Sequence, residues 1–403
     1  MKRFAIIWLI NFLILSIHPA AGQDAGRTIS FNFYGDALSF VFNPSDFVEF
    51  DESELSEITI RDFYTAINQK NYTPLLKALH DYREKQKPDD WLYYQLVRKT
   101  AQQISPKADN YIRYTLYKWF LMARSGYDPL LSIHKNQLLF YIQCDENVYN
   151  IPYRVKNGKP YVCLNYHDYG SNIDFEKQRF QEVNVAIPPG KQTFSYKIHK
   201  LPDFDAADYV KKELQFSMNN NEYHFQIKVN PQVKTIFANY PTVDYEDYFN
   251  MPLSNDTYAS LIPLLKKQVK GMKTKNGVDY LMRFTRYAFV FEPDTKQFGN
   301  EKRLTPEQTL LYESSDCEDR VFLFYYLVKE IYNLPMIVMV YPEHHVTIAV
   351  KFDKPIGTPV AYNGQLYTVC EPTPQSNALK MGELSPILKN ERYDVVFVYQ
   401  PGP

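Results

Sequence analysis

The chain reads as an α+β protein, and three observations carry that reading. Helix-period stretches and alternating, strand-forming runs occur in separate blocks rather than in regular alternation. Two Asn-Gly pairs, Asn157-Gly158 and Asn363-Gly364, each sit between alternating apolar runs, which is a strong hairpin signal. Aromatic residues make up 16% of the chain, mostly Tyr and Phe, and such side chains fit half-buried sheets. An alternative use of those rings, stacking on glycans, is the weaker expectation.

Taken in order, Lys2 and Arg3 precede an apolar run from Phe4 to Ile17 and then small residues up to Gly22, the layout of a secretory signal peptide. The run is shorter than the ~20 residues a membrane span needs. No cysteine follows it, so a lipoprotein anchor is not expected. Residues 1–22 are therefore expected to leave a mature chain in the periplasm or outside the cell, without stable membrane insertion. Losing Lys2 and Arg3 would take the net charge from −1 to −3. That balance, with no clustered Lys and Arg, argues against a nucleic-acid partner.

Residues 23–59 are expected to form two strands, TISFNFYG and ALSFVFNP, with a turn at Gly35-Asp36. Residues 60–170 carry helices (two before Lys87, then Trp91 to Gln103 and Asn110 to Arg124), followed by strands QLLFYIQ, VYNIPYRV and KPYVCLNY. Residues 171–245 are alternating and turn-rich and read as a small antiparallel β-domain. Residues 246–403 return to helix at Tyr258–Lys273 and Gly277–Thr285, pass a polar loop at 293–303, and then carry the chemistry.

In SSDCEDRVFLFYYLVKEIYNLP, Ser314, Ser315 and Asp316 are capping types and the apolar positions that follow have helical spacing. Cys317 falls in the first turn, where the helix dipole and free N–H groups lower a thiol pKa. Glu318 and Asp319 act against that, and Arg320 offsets part of their effect. Strand MIVMVY, then His344-His345, then VTIAV come next. Strand QLYTVC ends at Glu371-Pro372-Thr373. A thiol opening a helix, an imidazole opening a strand and a carboxylate closing another are the parts of a Cys–His–carboxylate acyl-transfer site. Cys370, in an apolar strand, is expected to be inert. The four cysteines include no CxxC pair, and no HExxH occurs, so neither a metal nor a cofactor is expected. One bridge, Cys144 to Cys163, is allowed.

This segment resembles the transglutaminase-like superfamily of papain-fold enzymes, over about 260–380. The matches are Cys317 in SSDCEDR, His345 in HVTIAV and Glu371 in CEPT, where the family has Asp-Pro-Thr. The resemblance implies a helix bundle packed on an antiparallel sheet, with Cys317 as nucleophile, His345 as base and Glu371 as orienter. His344 is the alternative base. Such a fold also places a polar oxyanion donor upstream of the cysteine, and Gln308 is the candidate by residue type.

Residues 60–170 read as a degenerate copy of the same lobe. RYTLYKWFLMARSGYDPLL from Arg113 aligns with RVFLFYYLVKEIYNLPMIV from Arg320, and NGKPYVCLNY with NGQLYTVCEPT. That register puts Asn110, Leu138 and Asn165 at the places of Cys317, His345 and Glu371. The expectation is an exported cysteine peptidase or amidase acting on a peptide or protein, cell-wall peptide among the options. The alternatives are an inactive binding or scaffold protein of the same fold and a cross-linking transglutaminase.

Overall fold

A computed structural model describes residues 26–188, 190–342 and 345–402. The proposed signal segment and His344 lie outside these described residues. Among them are 11 α-helices and two five-stranded antiparallel sheets, with shorter two-stranded ribbons. No helix of the described residues is long and apolar enough to cross a membrane.

The two sheets have the same strand order. The first runs Tyr153–Lys156, Lys159–Cys163, Gln137–Gln143, Pro129–His134 and Gln181–Glu182. The second runs Val360–Tyr362, Gln365–Cys370, His345–Val350, Met336–Tyr341 and Asp394–Tyr399. Each follows one long helix, Tyr111–Arg124 or Cys317–Tyr332, which packs against its central strands. Both outer hairpins turn on Asn-Gly with positive φ at both residues (53° and 77°, then 46° and 73°), a conformation that Asn and Gly adopt most easily.

Alternation along the strands gives each sheet two apolar faces. Leu138, Phe140, Ile142 and Cys144 enter a large core continuous through both halves, whereas Leu139, Tyr141 and Cys163 enter a separate cluster behind the first sheet. Cys144 and Cys163 thus sit on opposite faces, and both are free thiols, which overturns the bridge. In the second sheet Val346, Ile348, Val350 and Cys370 face the shared core, and Ile337, Met339, Ala349 and Val369 face the other side. Cys370 is fully buried among apolar neighbours, and that burial pushes its thiol up, in keeping with an inert role.

Other expectations need adjusting. The first hairpin, Arg27–Phe33 with Asp36–Phe42, turns at Tyr34-Gly35, whose φ values are both positive, and not at Gly35-Asp36. In place of a β-rich domain, the described part of 171–245 supplies one hairpin, Val210–Met218 with Asn221–Val229, the short strand Gln181–Glu182 that joins the first sheet, and Thr242–Val243, which pairs with Val148–Tyr149. The alternating runs VNVAI (183–187) and TFSYKI (193–198), part of that expected β-domain, form no strand, and their Val183, Phe194, Tyr196 and Ile198 are drawn into the shared core. Alternating apolarity recorded burial there without ladder pairing.

Candidate active site

The Cys317–Tyr332 helix begins one residue after Asp316, which caps it. The Asp316 side chain accepts from the Asp319 N–H, and Asp319 returns a bond to the Asp316 N–H, a reciprocal box that fixes the first turn. Cys317 is thus the first helical residue and is partly exposed. Two buried arginines brace this point. Arg320 donates to the carbonyls of Ser315, Thr285, Arg286 and Phe289, tying the start of this helix to the end of the Thr274–Tyr287 helix. Arg286 donates through Nε to the Glu371 carbonyl at 2.9 Å and through Nη1 to that of Leu379 at 2.8 Å.

Glu371 follows the Gln365–Cys370 strand. That ladder pairs Ile348 with Cys370, so its next step sets Glu371 opposite Thr347, two residues from His345 and on the same face. The diagonal closes through a hydrogen bond: His345 Nε2 donates to Glu371 Oε2 at 2.8 Å. The other carboxylate oxygen accepts from the Thr373 N–H at 2.9 Å. Both oxygens of the 1%-exposed side chain are therefore fixed, and the methylene that distinguishes Glu from Asp is accommodated. With Nε2 committed to Glu371, Nδ1 is the imidazole nitrogen left for a nucleophile. Cys317 lies close enough to the same strand end for the Val346 amide, one residue past His345, to act on its thiol and lower its pKa.

Electrostatics depart from the simple helix-dipole expectation. Burial pushes the Cys317 thiol up, and the charges of Asp316, Glu318 and Glu371 add to it, outweighing the Val346 N–H. Burial pulls the His345 imidazole down, but its hydrogen bond to Glu371 and the charges of Glu371 and Asp316 raise it above 6.5 overall. The Cys317 thiol is therefore held in its protonated form, and the His345 imidazole protonates more readily than a free one. A thiolate here needs the imidazolium as its counter-charge.

One group near the thiol escaped sequence reasoning. Oxygens of Asp294, Asp316 and Asp319 lie within 4.8 Å of one another, near enough to ligate a cation. Burial and then the neighbouring carboxylates push Asp294 up to about 7, Asp316 up to about 6, and Asp319 well above the ordinary range. Asp294 Oδ2 accepts from the Lys302 N–H and Asp319 Oδ1 from the Leu304 N–H, so protonated or charged, the group pins the 293–304 segment to the Cys317–Tyr332 helix. Asp316 and Asp319 carried a capping signal; Asp294, distant in sequence, and Arg286 carried none.

Gln308 is not placed as an oxyanion donor. It is the third residue of the Pro306–Leu311 helix, its Oε1 accepting the Thr305 N–H at 3.0 Å, and it lines a cavity that none of Cys317, His345 and Glu371 lines. Cap and ladder also move the first-lobe register by one residue at two places. Asn110 caps its helix as Asp316 does, setting Tyr111 at the place of Cys317. Gln137 opens its strand opposite His134 as His345 does opposite Tyr341, so Gln137, not Leu138, takes the place of His345. Asn165 keeps the place of Glu371, and its Nδ2 donates to the Tyr111 hydroxyl at 2.8 Å. No thiol, base or carboxylate occupies these three places. Comparison with family models, curated proteins and solved structures finds no match for this chain.

Proposed function

We propose that this chain is an exported, transglutaminase-like cysteine hydrolase of the peptidase or amidase type. The observation that carries the reading is the fixed Glu371–His345 pair, together with Cys317 as the first residue of a capped helix whose thiol feels the Val346 amide and Glu371. In this mechanism Cys317 attacks an amide carbonyl while His345 Nδ1 takes the thiol proton. The tetrahedral adduct collapses, and the amine leaves with the proton that His345 returns. A water then attacks the thioester, gives its proton to His345, and releases the acid and the thiol. Glu371 orients the ring and stabilises its cation.

The shared strand order of the two sheets supports a duplication in which the first lobe lost the chemistry, its three places now being Tyr111, Gln137 and Asn165. A second reading, a binding protein that kept the fold, draws on the upward push on the Cys317 thiol. The test is acid quenching during turnover of a peptide-amide library, with mass spectrometry of the Cys317 peptide. The hydrolase reading expects a thioester-linked acyl group on Cys317 and free acid as product, both lost in Cys317→Ala. An acyl product found only with an added amine would favour cross-linking, and no adduct and no product across the library would favour the binding protein.

A further inference from the structure

Between the two lobes lies a cavity of about 410 Å³, within the range of small-molecule sites. One side is aromatic: Tyr240 is partly exposed and is backed by the buried Trp91 and Tyr196 at ring separations of 5.4 to 5.9 Å. The second lobe brings Lys302, Arg303 and Gln308 to the lining. Gln308 is 1% exposed, and its Nε2 has no hydrogen-bond partner. The amide cannot turn over to satisfy it, because Oε1 is needed by the Thr305 N–H in the helix cap. A buried, held donor without an acceptor marks the place where a ligand oxygen belongs. Arg303 shares the lining, its Nε ion-paired with Glu318 and its Nη1 donating to the Val243 carbonyl, which holds the guanidinium in place. Glu301, the acid among the lining residues, is solvent-exposed.

We propose that this interlobe cavity binds an organic carboxylate carrying a flat apolar body, the carboxylate accepting from Gln308 Nε2 and facing Arg303, the body lying on Tyr240, which Trp91 and Tyr196 back. The assignment does not rest on the thiol chemistry, since the three residues of that site are not part of the cavity. A free small acid and the C-terminal residue of a peptide present the same groups.

Calorimetric titration of the full mature chain with N-acetylphenylalanine, its carboxamide, and a hexapeptide ending in phenylalanine tests it. The acid is expected to bind at least tenfold more tightly than the carboxamide. Gln308→Glu keeps the capping acceptor but turns the cavity donor into an anion, and should weaken acid binding at least tenfold. Asn239→Trp, at the lining and away from the cap, should block it by filling space. Binding of the hexapeptide as well would support the assignment and identify a peptide end as the source, whereas exclusion of the hexapeptide with retained acid binding supports a free small acid. Equal binding of acid and carboxamide, no binding of either at millimolar concentration, or binding untouched by both substitutions would overturn the proposal.

Discussion

Glu371→Gln separates the two forces acting on His345. In the native chain burial lowers the imidazole and the Glu371 carboxylate raises it, with the net above 6.5. Glutamine keeps the size but removes the charge. It also has one acceptor oxygen where two donors, His345 Nε2–H and the Thr373 N–H, now have one each. A hydrogen bond to a charged group contributes about 1.5–3 kcal/mol. At about 1.4 kcal/mol per pKa unit, its loss lowers the imidazole by roughly one to two units. Burial then dominates, and His345 should titrate below 6.5. The stability consequence has a definite sign. A raised folded value contributes stability that is complete below the ordinary imidazole value and disappears as pH rises through the folded one. The variant should therefore be weaker by about 2 kcal/mol near pH 5.5, with a smaller deficit at pH 9. Carbon-detected NMR titration of the histidine ring, assigned against His345→Ala, reads the shift, and urea unfolding at the two pH values reads the stability. An imidazole that still titrates above 6.5 in Glu371→Gln would refute the assignment of its raised value to this bond.

Two further substitutions test buried charge elsewhere. Asp294 is raised to about 7, so its penalty is absent at pH 4, grows through that value and is complete at pH 8. Asp294→Asn keeps an acceptor for the Lys302 N–H and should stabilise by about 2 kcal/mol at pH 8 and leave pH 4 unchanged, as read by chemical unfolding. Lys118, 1% exposed in the first lobe, is pushed down by burial to about 7. Its cost is absent above pH 10.5 and complete below 7. Lys118→Met should therefore stabilise by roughly 3 kcal/mol at pH 6 and much less at pH 10, and equal effects at both would contradict the sign.

Local signals in the sequence reached the parts of the structure that local physics determines. The capping residues before Cys317, the Asn-Gly turns and the strand that opens at His345 depend on neighbours in the chain, and the structure has them at or near the expected residues. The Glu371–His345 bond could be anticipated because the order of helix, strand and hairpin dictates which strand ends meet. What escaped was set by packing between distant segments. Alternation in 183–198 could not say whether a run finds a partner strand or lies as covering chain on a core. The Asp294–Asp316–Asp319 group and the Arg286 clamp on Glu371 join residues that share no local pattern. The thiol was misjudged for the same reason. The helix start is visible in sequence, whereas burial beneath three carboxylates is not.

The central claim is that Cys317 and His345 form one ionising pair, and alkylation across pH addresses it directly. Iodoacetamide labelling of Cys317, followed by peptide mass spectrometry from pH 5 to 10, has Cys144, Cys163 and Cys370 as buried internal references. Burial and the carboxylates raise the thiol, so the account predicts a native midpoint above the ~8.5 of a free thiol, with the imidazolium holding it below its value in the absence of His345. In His345→Ala the offset is gone, so the midpoint should move further up and the rate at pH 7.5 fall at least tenfold. Identical labelling of Cys317 in both proteins would contradict the pair, and with it the hydrolase.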